Sequence, residues 1–169
     1  MIDADILFSA SRGDSECAKR SRVLLDRILS ICHSIVLTAK IWEEYKTYAS
    51  VHSLRWLYKM NKEDGKIIAE GSIRLQRVRG IRQAISTCGL SQDIKNKMID
   101  DAHLIDAAFA SDNIVLSMDH VITHFRTLSA TVTRLSSIIW VNPEDDFEKC
   151  LKWLEDGTPD HPELHIRSQ

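Results

Sequence analysis

The sequence predicts an α/β fold in three layers, with a central, mostly parallel sheet of four to five short strands flanked by helices. Short apolar, β-branched runs, each too brief for a helix, alternate with longer segments of helical periodicity. This alternation is typical of a parallel sheet covered by helices on both faces. With 169 residues, 44% of them apolar, the chain has the size and composition of one domain with a hydrophobic core.

Four apolar runs are the predicted strands. They are part of 2–8, followed by 35–38, 114–117 and 138–141. The segments between them carry the helical periodicity, and these are 16–32, 40–52, a long middle stretch, 99–111 and 121–128.

The last predicted helix has sequence signals at both ends. Asn142 is a suitable N-cap and Pro143 a suitable first helical residue. Gly157 and Pro159 would end this helix soon after Leu154. We therefore expect a single domain over 1–157 and an irregular C-terminal tail over 158–169.

Composition excludes several classes of protein. No stretch approaches the roughly 18 apolar residues of a membrane span, and the N-terminus does not have the pattern of a secretory leader. The four cysteines are far apart and form no CxxC pair, which is typical of reduced thiols in the cytoplasm. We expect a cytoplasmic protein with no membrane partner.

Charge is unevenly distributed around a formal net charge of −2. Between Lys46 and Lys97 there are 11 basic and 4 acidic residues, with Trp56 and Tyr58 among them. Such a stretch could follow a phosphate backbone, in which case Arg74, Arg77 and Arg82 are the best candidates for contacts to nucleic acid. Solvated helix faces explain the same charges equally well, so both interpretations stay open.

Acidic residues occur where the predicted strands end. Asp3 and Asp5 follow the first strand signal, Glu44 lies in the helix after the second, and Asp119 follows the third. Asp101 opens the helix that precedes the third strand. Ligands of open α/β sheets bind beyond the carboxyl ends of the strands, so these acids are candidate site residues.

Helical geometry distinguishes these acids from their neighbours. At 100° per residue, Glu44 flanks the apolar face of its helix, whereas Glu43 points outward. Asp101 falls in the middle of a buried face, and Asp106 and His103 are expected to face away from it, with His103 pointing to solvent.

A buried, ionised carboxylate needs a compensating cation or several hydrogen-bond donors. Any one of these acids could be a helix cap. Four acids from separate segments at one edge of a sheet would repel one another, and a divalent cation would relieve that repulsion.

The sequence around these acids resembles the PIN-domain nucleases, including the VapC-type ribonuclease toxins. Asp3 in DADI, Glu44 in TAKIWEEY, Asp101 in DAHLIDAA and Asp119 in IVLSMD follow the order of that family's acidic motifs. The resemblance runs from the first strand to the strand ending at Val141. It implies that these four acids are catalytic and bind metal, with Asp5 as an auxiliary acid and Ser117 as the hydroxyl residue.

The resemblance implies a metal-dependent endoribonuclease that hydrolyses RNA phosphodiester bonds, possibly as the toxin of a toxin–antitoxin module. Oxygen ligands suit Mg²⁺ or Mn²⁺, which can activate water and stabilise the leaving oxygen. An antitoxin protein and a homodimer are the partners that such toxins have, besides the RNA substrate.

Three alternatives stay open. Asp3-Ala4-Asp5 could be the nucleophile motif of a haloacid-dehalogenase-like phosphatase. A scaffold that keeps the PIN fold only to bind RNA or protein is a second alternative. His120 and His124 could bind zinc together with Asp119, although surface histidines are more common than such a site.

Overall fold

The structure, a computed structural model, describes residues 1–11, 13–31, 33–48, 50–62, 65–73 and 80–167. These residues form an α/β fold with eight α-helices and four strands of three residues each. The helices are α1 (Ala4–Ser9), α2 (Glu16–Ser30), α3 (Ala39–Tyr48), α4 (Val51–Lys62), α5 (Ile81–Thr87), α6 (Gln92–Phe109), α7 (Ile122–Leu128) and α8 (Phe147–Glu155). The strands are β1 (Ile35–Leu37), β2 (Ile67–Ala69), β3 (Ile114–Leu116) and β4 (Ile139–Val141).

The strands pair as two small parallel sheets. In one, β1 lies beside β2, with Val36 opposite Ile68. In the other, β3 lies beside β4, with Val115 opposite Trp140. The sequence predicts a single sheet of four to five strands, whereas the described residues form two separate pairs. The predicted parallel direction of the strands is confirmed.

The prediction of a first strand within 2–8 is wrong beyond Ile2. Ile2 forms one parallel bridge with Leu116, and the chain then turns directly into α1. Asp3 causes this change, because its Oδ1 accepts a hydrogen bond from the Ala4 N–H at 2.6 Å and caps the helix. The apolar residues that suggested a strand are buried on α1 instead.

The middle of the chain contains a strand that the sequence analysis missed. The predicted helix over 40–52 is divided between α3 and α4, and β2 follows α4. Lys66 fixes the position of β2, because its backbone carbonyl accepts from the Ile35 N–H at 2.8 Å. Its Nζ also donates to the carbonyls of Leu29 and Ile31, at the end of α2.

Helix α4 carries two aromatic residues of the basic stretch on different sides. Trp56 is buried, and its Nε1 donates to the Leu25 carbonyl of α2 at 2.6 Å. Tyr58 is exposed on the other side of the helix. Trp56 therefore belongs to the core, whereas Tyr58 offers a ring to a ligand.

The last helix begins later than predicted. Asn142 Oδ1 accepts from the Glu144 N–H, so the Asn142–Pro143 pair forms a turn rather than a helix start. Asp146 is the N-cap of α8, with its side chain accepting from the Lys149 N–H. The helix ends at Glu155, close to the predicted end.

The described part of the C-terminal tail packs against β4. A short 3-10 turn over Pro162–Leu164 precedes an antiparallel bridge between His165 and Ile139. Ile166 is fully buried and its N–H donates to the Ile138 carbonyl at 2.9 Å. None of the helices in the described part of the chain has both the length and the apolar character needed to cross a membrane.

Candidate active site

Asp3 is held at the edge of the β3–β4 sheet by contacts to both of its carboxylate oxygens. Its backbone N–H donates to the Leu116 carbonyl at 2.9 Å, which continues the bridge at Ile2. Oδ1 caps α1, and Oδ2 accepts from the Ser117 hydroxyl at 2.7 Å. Burial raises the pKa of Asp3, the two hydrogen bonds lower it in part, and the charge of Glu44 raises it further.

Tyr45 helps to hold Asp3 in place through the preceding residue, Ile2. It is fully buried on α3, and its hydroxyl donates to the Ile2 carbonyl at 2.7 Å. The residue directly before Asp3 is thereby fixed to the helix that carries Glu44.

Asp5 lies in the first turn of α1 and faces the segment after β3. Its Oδ2 accepts from the Met118 N–H at 2.8 Å, with Ser117 Oγ at 3.3 Å. Its Oδ1 is buried and has no hydrogen-bond partner among the residues that the structure describes. Burial and the charge of Asp3 raise the pKa of Asp5 to about 8.

Asp101 is half-buried on α6 and lies within electrostatic reach of the other predicted acids. Burial raises its pKa to about 7, together with the charges of Asp3, Asp119 and, more weakly, Glu44. Asp119 is exposed, and its Oδ1 accepts from the Val121 N–H at 2.9 Å just before α7. The charges of the other three predicted acids therefore all act on Asp101.

The chain matches no family model, no curated protein and no solved structure. Function therefore has to be inferred from the side chains themselves.

Glu44 lies between two basic side chains. Lys40 Nζ lies 3.1 Å from Glu44 Oε1, and His103 Nε2 lies 3.2 Å from Oε2. Burial raises the pKa of Glu44, but the hydrogen bond and charge of His103, with a contribution from Lys40, lower it more, so the pKa is below its ordinary value. Glu44 is therefore kept as a carboxylate.

His103 does not point to solvent as the sequence predicts. Its side chain is only 14% exposed. Nδ1 lies 2.6 Å from the Asp100 carbonyl while Nε2 faces Glu44. Both neighbours are acceptors, an arrangement that favours a proton on each ring nitrogen. Burial lowers the pKa of His103, but Glu44 and the Asp100 carbonyl raise it more.

Asp106 is also placed differently from the prediction, because it is buried and only 6% exposed. Its Oδ2 accepts from Arg82 Nη2 at 2.7 Å. Arg82, one of the predicted nucleic-acid contacts, is therefore engaged in an ion pair between α5 and α6. Arg74 and Arg77 lie outside the described residues.

The reason for both differences is that α6 is covered on more than one side. From Leu104 to Ala108 every residue is buried. Helices α5 and α7 and strand β3 all pack against α6, and His103 reaches α3. A prediction based on one apolar stripe fails for a helix that is enclosed in this way.

No group of three or more His, Cys, Asp or Glu side chains within the described ranges is arranged so that it could hold a metal ion. His120 is exposed and His124 is half-buried. The histidine pair thus forms no ready-made zinc site with Asp119 within those ranges. The acids lie near one another, but they do not form a preassembled coordination shell.

Proposed function

We propose that this protein is a metal-dependent endoribonuclease with a PIN-like fold. The observation that carries the proposal is that Asp101 is half-buried within reach of Asp3, Asp119 and Glu44, whose charges add to the effect of burial in raising its pKa to about 7. These acids come from four separate segments of the chain, and their mutual repulsion has to be offset for all of them to be ionised. Acids that served only as helix caps would have no reason to lie near one another.

The position of the first residues supports a PIN-like sheet. Ile2 pairs with β3 on one side, and a small crevice lined by Met1, Ile2, Ile35 and Ile114 lies between the two strand pairs. We infer that the first residues lie between β1 and β3. The strand order would then be β2, β1, the Ile2 segment, β3 and β4, as in a three-layer fold with five short parallel strands.

The donor set suits a hard divalent cation. The candidate ligands are Asp3, Glu44, Asp101 and Asp119, with Asp5 as an auxiliary, and all of them offer carboxylate oxygens. The buried Oδ1 of Asp5, which accepts no hydrogen bond from a described residue, is a further acceptor of the same kind. Because no three of these side chains are already arranged as a metal site, we propose that Mg²⁺ or Mn²⁺ is held partly through water.

Bound there, the ion would supply the Lewis acidity and the activation of water that phosphodiester hydrolysis needs. The chain itself fixes the orientation of the acids. Ser117 and the Met118 N–H hold Asp3 and Asp5, while Lys40 and His103 hold Glu44. Carboxylates fixed in this way do not have to be reoriented when substrate binds.

A cleavage assay on a panel of RNAs tests the proposal. We expect cleavage with Mn²⁺ and none with EDTA. Asp101→Asn should lower the rate by at least the roughly 10- to 100-fold that changes around a metal site usually cost. Asp100→Asn is the matched control, because Asp100 is the adjacent residue and its side chain is exposed.

Two results would reject the proposal. Undiminished cleavage by Asp101→Asn would remove the assigned site, and no metal-dependent cleavage of any RNA would favour the scaffold. Release of phosphate from a small phosphoester without RNA cleavage would favour the haloacid-dehalogenase-like phosphatase. The antitoxin partner, the homodimer and the cytoplasmic location stay predictions.

A further inference from the structure

A broad groove lies between β1, α3, α4 and β2. Its volume is about 640 Å³ and its lining is mostly apolar. We call it the aromatic groove, and define it by Leu37, Trp42, Leu54, Leu57, Tyr58 and Ala69.

Two large aromatic side chains of this groove are exposed. Trp42 is 40% exposed and Tyr58 is 62% exposed, and Leu54 beside them is 48% exposed. Single exposed apolar residues are ordinary, but several that line one groove mark a binding surface. The two rings offer flat faces on which a planar group could stack.

Cations border the groove. Lys46 Nζ lies 5.9 Å from the centre of the Trp42 ring. On α4, Arg55, Lys59 and Lys62 are exposed and follow one another at helical spacing, next to the stripe that carries Tyr58. None of these three forms an ion pair with an acid in the described part of the chain, so their charges are available to a ligand.

The groove and the proposed site both include residues that directly follow strands. Thr38 follows β1 and Glu70 follows β2, and both line the groove, whereas Asp3 and Ser117 follow the Ile2 bridge and β3. Trp42 and Glu44 leave α3 on nearly opposite sides, since two residues are about 200° apart on a helix. An RNA chain that reaches both therefore has to pass around α3.

We propose that the aromatic groove binds a single-stranded segment of RNA next to the cleavage site. Bases stack on Trp42 and Tyr58, and phosphates lie against Arg55, Lys59 and Lys62. Aromatic platforms beside a row of cations are the usual means of binding single strands without reading their sequence. This inference rests on the proposed ribonuclease function and extends it to the form of the substrate.

Binding of two labelled RNA oligonucleotides, measured by fluorescence anisotropy in EDTA, tests the inference. One carries bases and the other is an abasic chain with the same number of phosphates. A stacked base contributes about 1–3 kcal/mol, so the wild type should prefer the base-bearing oligonucleotide by roughly 5- to 150-fold per stacked base. Trp42→Ala should lower this ratio by the contribution of one stacked base, and Trp42→Phe should retain most of it.

The cations are tested separately. Lys59→Gln should weaken both oligonucleotides alike and reduce the slope of log affinity against log salt by about one. Val23→Ala is the control, since Val23 is 45% exposed on α2 and lies outside the groove. It should bind both oligonucleotides as the wild type does.

Equal affinity of the wild type for the two oligonucleotides would overturn the inference, as would an unchanged ratio in Trp42→Ala. If Trp42→Ala instead turns a dimer into a monomer and leaves RNA binding unchanged, the groove is a protein interface and the inference is wrong. Binding is measured in EDTA and does not require cleavage. If the protein prefers the base-bearing oligonucleotide but cuts no RNA, the groove binds single strands and the proposed nuclease activity is wrong.

Discussion

The hydroxyl of Ser117 donates a hydrogen bond to Asp3 Oδ2 at 2.7 Å and joins the start of the chain to the end of β3. The same Oγ accepts from the Asp119 N–H at 3.1 Å. A single side chain therefore fixes one acid and the backbone of another. This contact makes Ser117 a positioning residue for the proposed site.

Ser117→Ala should weaken both the fold and the site. Asp3 is buried and would lose a donor, which costs about 1–3 kcal/mol in the free energy of unfolding. The loss also raises the pKa of Asp3 further, because this hydrogen bond lowers it in the wild type. Urea denaturation and Mn²⁺ affinity measure the two effects.

Ser129→Ala is the control for this variant. Ser129 is also buried, but its hydroxyl donates to the Arg126 carbonyl within its own helical turn. We expect it to leave Mn²⁺ affinity unchanged. Equal Mn²⁺ affinity in Ser117→Ala and the wild type would show that Ser117 does not position the site.

Without metal, stability should fall as pH rises. The pKa is about 7 for Asp101 and about 8 for Asp5 in the folded protein, and about 3.9 for an aspartate in the unfolded chain. The folded state therefore holds protons that the unfolded state releases. The stabilising contribution of these protons is fully present below about pH 4, and it is lost as pH rises through 7 and then 8.

Asp101→Asn isolates one of these groups. In EDTA, its free energy of unfolding should exceed that of the wild type by an amount that grows by up to about 1.4 kcal/mol per pH unit, from pH 4 to about 7, and then stays level. Asp100→Asn should show no such growth. Thermal or urea unfolding across pH measures the difference, and parallel curves for Asp101→Asn and wild type would contradict the assignment.

Removal of His103 should change the acid side of the activity profile. His103 and Lys40 together keep the pKa of Glu44 below its ordinary value against the effect of burial. In His103→Ala that pKa rises, so the acidic limb of the pH–rate profile should move to higher pH. His120→Ala is the control, because His120 is exposed. An unmoved acidic limb would show that Glu44 does not depend on His103.

Arg82→Gln should affect stability more than RNA binding. The Asp106 side chain is 8% exposed and would lose a charged donor. Because Arg82 itself is 35% exposed, we expect a cost of about 1–3 kcal/mol, below the full cost of breaking a buried pair. Urea denaturation and RNA affinity measure the two effects.

Arg20→Gln is the matched control, since its ion pair with Glu16 is largely exposed and should contribute less than about 1 kcal/mol. If Arg82→Gln keeps its stability and loses RNA affinity, Arg82 contacts nucleic acid, as the sequence suggested.

Three of the four strands could be predicted from the sequence because each is a compact β-branched run. Residues 35–37, 114–116 and 139–141 all lie within predicted runs. Strand β2 was missed, since Ile67 and Ile68 give too short a signal between charged residues. The sequence predicts a strand in part of 2–8 because a short apolar run does not distinguish a strand from a buried helix. Only the cap at Asp3 decides between them.

Asp3 and Asp119 could be placed near one edge of a sheet because each follows a strand signal, while Glu44 and Asp101 could be placed on helix faces. Their role as one site stays a prediction. The basic neighbours of the acids could not be predicted. His103 contacts Glu44 from another helix, 59 residues later in the chain, and Arg82 reaches Asp106 between two helices. Contacts of this kind depend on how helices pack, and a single helical wheel holds no information about the neighbour on its other side.

Calorimetric titration of the metal-free protein with Mn²⁺ near pH 8 tests most directly whether the four acids form one cation site. At this pH the pKa of about 7 leaves Asp101 mostly ionised. The wild type and Asp100→Asn should bind the ion alike, and Asp101→Asn should bind it at least roughly 10- to 100-fold more weakly. No binding by the wild type, or equal binding by Asp101→Asn, would contradict the proposed metal site.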